Sequence, residues 1–113
     1  MADELAEIGA DEARDAVEAG AFLLDVREPD EWAAGHAPDA VHIPMGTLVT
    51  RVDELPRDRR IVAICRSGAR SRTVGEALLV DGYDVANAIG GMRAWASYGY
   101  DVVTDDGGAG TVI

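Results

Sequence analysis

The chain holds one cysteine, Cys65, and it stands at the junction of two contrasting runs: the apolar "IVAIC" before it and "RSGARS" after it. A thiol at the end of a short apolar strand, followed by arginines, serines and a glycine, has the makings of a nucleophile. Backbone N–H groups of Arg66, Ser67, Gly68, Ala69 and Arg70 can curl around one point. Gly68 permits the tight curvature because it accepts positive φ without steric cost. Such a ring of donors, together with the positive end of the following helix, forms an anion nest. A thiolate is favoured over a thiol there, since helix N-termini and nearby arginines depress a cysteine pKa. The competing reading is a plain core cysteine, for free cysteine is among the most buried residue types. The arginine-rich loop tips the balance toward reactivity, because a core residue needs no such neighbour.

Composition narrows the partners. Formal net charge is -11, and all ten basic residues are arginine. A polyanion would be repelled, so nucleic acid and anionic membrane are excluded as partners. Arg66, Arg70 and Arg72 make a local positive cluster, and screening over about 10 Å lets it act apart from the distant acidic surface. The expected substrate is a small anionic or sulfur-rich molecule. A single cysteine rules out an internal disulfide, a Cys-x-x-Cys pair and a cysteine-built zinc site. His36 and His42 make a poor metal constellation, so no metal or cofactor is expected. The opening MADELAEIGADE lacks the basic-then-apolar pattern of a secretory signal, and no apolar run suits a membrane span. A cytoplasmic location is expected.

The elements that must position the cysteine alternate between two periodicities. "ADEARDAVEAG" has the helical spacing of Ala13, Ala16 and Val17, with Asp11 placed to cap its start and Gly20 its end. "AFLLDV" is a short apolar strand. "EPDEWAAG" reads as a helix opened by Pro29 and stopped at Gly35. "AVHIP" is a strand, "GTLVTRVDELP" a weaker helix, "RIVAIC" a strand, "SRTVGEALLVDG" a helix beginning near Ser71, "YDVANAIGG" a strand and "MRAWASYG" a short helix. Apolar strands alternating with helices signal one α/β domain with a parallel sheet covered on both faces. With 113 residues and 48% hydrophobic content there is core enough for a single domain. The Gly-rich, acidic "TDDGGAGTVI", residues 104–113, is expected as a flexible C-terminal tail.

Ligands of such sheets bind beyond the carboxyl ends of the strands, where Cys65 stands. Asp25 and Arg27, in "DVRE", end a neighbouring strand on the same rim. They either shape the cysteine loop, with Asp25 accepting hydrogen bonds from it, or form a structural ion pair such as Arg27 with Glu31; the structural reading is favoured. The hydroxyl of Ser67 or Ser71 could contact the substrate, with capping favoured for Ser71; Arg66 and Arg70 are the candidates for binding the anion, Arg66 expected to face substrate and Arg70 to point outward. His36 is a packing or capping residue before it is a proton shuttle, His42 is expected to be partnered within its strand, and Trp95 packs as core.

Two chemistries use a thiolate in a strand–loop–helix nest: phosphoester hydrolysis and sulfur transfer. The phosphatase pattern is Cys-x5-Arg, whereas the spacing from Cys65 to Arg70 is one residue shorter. A tighter ring suits a single terminal sulfur better than a phosphoryl group with three equatorial oxygens.

"CRSGARS" resembles the active-site loop of the single-domain rhodaneses. "LLDVREPDEW", "GHAPDAVHIP" and "GGMRAW" match other stretches of that sulfurtransferase family in order and spacing, so the resemblance runs from Ile8 to Val103. It implies a rhodanese-like domain over 8–103, with a five-stranded parallel sheet flanked by helices on both faces. It also implies that Cys65 takes sulfane sulfur from a donor such as thiosulfate, carries it as a persulfide and passes it to cyanide or a thiol. Small domains of this type also serve as sulfur carriers or interaction modules, so a module that docks on a protein sulfur acceptor and turns over little by itself is the first alternative. An arsenate- or phosphate-directed enzyme is the second.

Overall fold

The structure, a computed structural model, describes residues 4–113. Five strands form one fully parallel sheet: β1 (Ala6–Ile8), β2 (Phe22–Asp25), β3 (Val41–His42), β4 (Ile61–Ile64) and β5 (Val85–Ala88), in the spatial order β1-β5-β4-β2-β3. The expected α/β architecture with five parallel strands is therefore present. β4 lies in the middle of the sheet, with Leu24 of β2 opposite Ala63 on one side and Asn87 of β5 opposite Ala63 on the other. Every residue of β4 is buried, as expected for a strand covered on both faces.

Period-two alternation splits the core in two. Ile61, Ala63 and Cys65 face one layer, together with Leu24, Val26, Ile43, Leu48, Val74 and Leu78. Val62 and Ile64 face the other, with Leu23, Ala13, Ala86, Met92 and Trp95. The first layer is roofed by α3 (Leu48–Arg51) and α4 (Ala69–Val80), the second by α1 (Ala10–Glu18) and α5 (Gly91–Ser97). Leu23, Leu24, Ile61 and Ile64 are at most 1% exposed, and each such side chain contributes about 2 kcal/mol of hydrophobic stabilisation. No described helix is long and apolar enough to cross a membrane.

Several local readings need correction. α1 begins at Ala10 with Gly9 as its N-cap, so Asp11 lies inside the first turn and makes no capping hydrogen bond. Its charge still suits the positive end of the helix. The weaker helix before Pro56 is three short pieces, one α and two 3-10, over Met45–Glu54. Glu28 and Glu31 close a reciprocal capping box around α2 (Pro29–Ala34), with Pro29 at the first helical position.

Residues 104–113, expected as a loose tail, turn back on the domain. Val103 bridges both His36 and Ala109, and the Thr111 amide donates to the Ala34 carbonyl at 2.9 Å. A Cβ on Gly35 would stand 2.6 Å from backbone atoms of Thr111, so glycine at 35 is what lets the segment lie flat there. Composition alone could not reveal this, because the partners of the tail are backbone groups around residue 35.

Candidate functional site

The central strand delivers Cys65 to the rim and the chain turns at once. Gly68, with φ of +109°, reverses the backbone and serves as N-cap of α4. This conformation favours glycine, and it aims the Gly68 amide at the cysteine: Gly68 N donates to Sγ at 3.1 Å. α4 starts at Ala69, two residues earlier than the sequence suggests, and that places Ser71 inside the first turn. Ser71 is fully buried and does not cap the helix; its hydroxyl lies 3.2 Å from Cys65 Sγ and 2.6 Å from Asn87 Oδ1.

Cys65 itself is 1% exposed. Burial pushes its thiol up, but the Ser71 hydroxyl and the amides of Ser71, Gly68 and Ser67 stabilise the thiolate, leaving the pKa below the ordinary 9.0. Gly68 N supplies the one backbone hydrogen bond of good geometry to the sulfur, and the amides of Ser67 and Ser71 act at longer reach. The core and the nest are thus not alternatives here. The sulfur closes one hydrophobic layer and is also the focus of the loop's donors.

The back of the loop is fastened by the last helix. Met92 N donates to the Cys65 carbonyl at 2.7 Å, and Arg93 N to the Arg66 carbonyl at 3.0 Å. Gly90 and Gly91, with φ of +77° and +55°, make this approach possible. The Gly90–Gly91 turn therefore has a task beyond chain reversal: it lets the start of α5 hold two carbonyls of the cysteine loop.

The arginines are less free than their sequence positions suggest. Arg70 does not point out alone; its guanidinium meets both oxygens of Glu31, at 2.7 and 2.8 Å, in a two-pronged pair. The Arg70 hydrogen bond is the main reason the Glu31 carboxyl is lowered from 4.5 to about 2. Arg66 is exposed, and its Nε donates to the Ile113 carbonyl at 2.7 Å. Ser67 and Ala69 are exposed along the loop.

Asp25 and Arg27 form a fully buried ion pair at 2.8 Å. Arg27 also donates to the carbonyls of Glu31 at 3.3 Å and Gly35 at 2.9 Å. Asp25 takes no hydrogen bond from the cysteine loop; the structural alternative is the one observed, with Asp25 rather than the Glu31 carboxylate as partner. The pair reaches the site indirectly, since Arg27 steadies α2 and Glu31 of α2 grips Arg70. His42 Nε2–H donates to the Arg27 carbonyl at 2.7 Å. His36 and His42 stack on Trp32, at ring separations of 3.5 and 4.8 Å, which is packing. No group of three metal-ligating side chains occurs among the described residues.

Two features of the site escape the sequence reading: Asn87, and the pairing of Glu31 with Arg70. Asn87 sits in an apolar strand and is 1% exposed, and a buried amide amid "VANA" was the one available signal. Glu31 lies 39 residues from Arg70, and nothing local marks the pairing.

Comparison with known proteins agrees with this architecture. The family model described as Rhodanese-like domain matches residues 9–98. A sulfurtransferase from Allochromatium vinosum is 44% identical over 87 residues, covering 76% of this chain and 81% of the relative. A rhodanese-related protein from Thermoplasma volcanium superposes with a TM-score of 0.83 at 32% identity, covering 88% of this chain and 99% of that one. The reduced CoADR-RHD protein of Bacillus anthracis superposes at 0.79 and 32% identity over 82% of this chain, which spans just 17% of that longer protein. A strand-end cysteine, a glycine-turned loop and a covered five-stranded parallel sheet thus coincide with a match over most of the sequence, and the chain belongs to the rhodanese-like domain family of sulfurtransferases.

Proposed function

We propose that the protein moves sulfane sulfur, with thiosulfate as donor and Cys65 as carrier. The thiolate attacks the outer sulfur of thiosulfate, the sulfur–sulfur bond of the donor breaks, and sulfite leaves with the bonding pair. Cys–S⁻ and S₂O₃²⁻ thereby become Cys–S–S⁻ and SO₃²⁻, with charge and electrons balanced. The terminal sulfur then passes to a thiophilic acceptor such as cyanide or a thiol, which restores the thiolate. A pre-formed thiolate and an anionic leaving group need no general base, in keeping with histidines committed to Trp32 and to backbone carbonyls.

One observation carries the proposal: Cys65 is 1% exposed, with its sulfur contacted by Gly68 N and Ser71 Oγ in a loop one residue shorter than the phosphatase pattern. A slender terminal sulfur fits such an opening better than a phosphoryl group. Arg66, Ser67, Gly68, Ala69 and Arg70 form the binding loop, with Arg66 meeting the donor, while Asp25 and Arg27 support it through α2. With a single cysteine, no internal thiol can take the sulfur, so the acceptor is a separate molecule. Intact-mass measurement after incubation with thiosulfate should show one added sulfur atom, absent in Cys65→Ser. No adduct with any sulfane donor, or release of phosphate from an aryl phosphate, would overturn the reading.

A further inference from the structure

Ser71 has one hydroxyl proton and two buried acceptors within reach, Cys65 Sγ at 3.2 Å and Asn87 Oδ1 at 2.6 Å. It cannot serve both. Whether Asn87 competes depends on which way its amide faces, and its other contacts decide that. Nδ2 lies 2.9 Å from Glu7 Oε1 and 3.2 Å from the Gly68 carbonyl. Both are acceptors, so turning the amide over would set oxygen against oxygen twice. The carbonyl end is therefore locked toward Ser71.

We propose that Asn87 is a positioning residue that governs the direction of the Ser71 hydroxyl and so biases Cys65 toward its sulfur-loaded form. In the thiol state, S–H donates to Ser71 Oγ and Ser71 donates to Asn87. In the thiolate state, the sulfur draws the Ser71 proton and Asn87 Oδ1, on a residue only 1% exposed, loses that donor. Once a second sulfur is attached, the charge moves to the outer atom. The inner sulfur, now bonded on both sides, is a weak acceptor, and the Ser71 proton returns to Asn87. The empty thiolate alone leaves Asn87 unsatisfied, so loading is favoured over emptying. The same amide donates to the Gly68 carbonyl, which ties the residue whose N–H is the second donor to the same strand. Charged groups around this chain are Glu7 on β1, Arg70 and Arg72 on α4 and Arg66 in the loop; none bonds the Ser71 hydroxyl.

The loaded-state half of this inference rests on the sulfur-transfer reading, whereas the hydroxyl switch does not, and the two are tested apart. Alkylation of Cys65 by iodoacetamide across pH needs no sulfur donor. Asn87→Val should move the midpoint to lower pH, because Ser71 is then free to serve the sulfur alone. Ser71→Ala and the double variant Ser71→Ala/Asn87→Val should share one midpoint. A higher or unchanged midpoint in Asn87→Val, or an equal shift in both backgrounds, overturns the switch. In a thiosulfate–sulfite mixture of fixed ratio, the loaded-to-empty ratio of Asn87→Val should fall about fivefold; an unchanged ratio overturns the bias. Should Asn87→Val fail to fold, the unmodified protein still decides the matter. The Asn87 side-chain carbonyl carbon should shift in NMR with the same pH midpoint as Cys65, and a flat trace through that titration overturns the proposal.

Discussion

A Cβ added to Gly91 would stand 2.3 Å from the carbonyl oxygen of Cys65. No other glycine of the described chain is pressed so closely against the loop that carries the sulfur. The approach sets two amides of α5 on the carbonyls of Cys65 and Arg66, and it leaves no room for any side chain.

Gly91→Ala should therefore act on stability and reactivity together. The methyl group must displace backbone rather than a flexible side chain, at a cost of about 3 kcal/mol. Chemical denaturation should report that loss, and Cys65 alkylation at fixed pH should slow. A variant as stable as the parent would show that the loop moves freely from α5.

The grip of Arg70 on Glu31 makes a pH-dependent contribution. The folded-state carboxyl is lowered from 4.5 to about 2, so its stabilisation is complete above about pH 4.5 and vanishes as pH falls toward 2. Glu31→Gln should cost about 1 kcal/mol at pH 7, a modest figure because Arg70 is one-third exposed. The gap between parent and variant in denaturation curves should close over that acid window. A gap independent of pH would assign the loss to the capping box instead.

Thiolate stabilisation at Cys65 should be visible in the unmodified protein. The rate of alkylation should rise with pH through a midpoint below the ordinary thiol value, and Ser71→Ala should raise that midpoint by removing a hydroxyl donor. An unchanged midpoint in Ser71→Ala would leave the backbone amides as the whole source of the effect.

Arg27→Met should destabilise by about 3 to 5 kcal/mol, because it strands the Asp25 carboxylate at 0% exposure. Adding Asp25→Leu should recover part of that loss. Thermal unfolding of the two variants measures it, and additive losses would show that the pair is not coupled.

If the return of residues 104–113 persists in solution, the Gly110 and Thr111 amides should exchange with deuterium at least about tenfold more slowly than in an unstructured peptide. Exchange at the free-peptide rate would favour the flexible tail that composition suggests.

What the sequence disclosed was local. An apolar run, a lone cysteine and a glycine three residues on define a strand, a turn and a helix start, and all of them lie within one short window. Pro29 and Gly35 likewise bracket α2 where it is found. The sequence favours capping for Ser71 over a contact with the substrate, whereas α4 starts at Ala69, and a shift of two residues turns a capping serine into one facing the sulfur. Arg70 with Glu31, Asn87 with Ser71 and Ile113 with Arg66 join residues far apart in the chain, and their polar partners carry no periodic signature. "DVRE" suggests a structural ion pair of Arg27 with Glu31, whereas Arg27 pairs with Asp25 and both are buried, which a four-residue string cannot reveal.

The cradle has a bearing on how the polypeptide is made. Its thiol emerges in the middle of synthesis, whereas the amides that brace it come from residues 92 and 93, and Asn87 with its Glu7 contact also waits for the later half. A nascent chain paused just beyond position 80 would hold an unbraced mercaptan, no more reactive than glutathione. The full lowering of its pKa would arrive only with the closing segment, so a ribosome-bound or truncated product would carry an ordinary thiol.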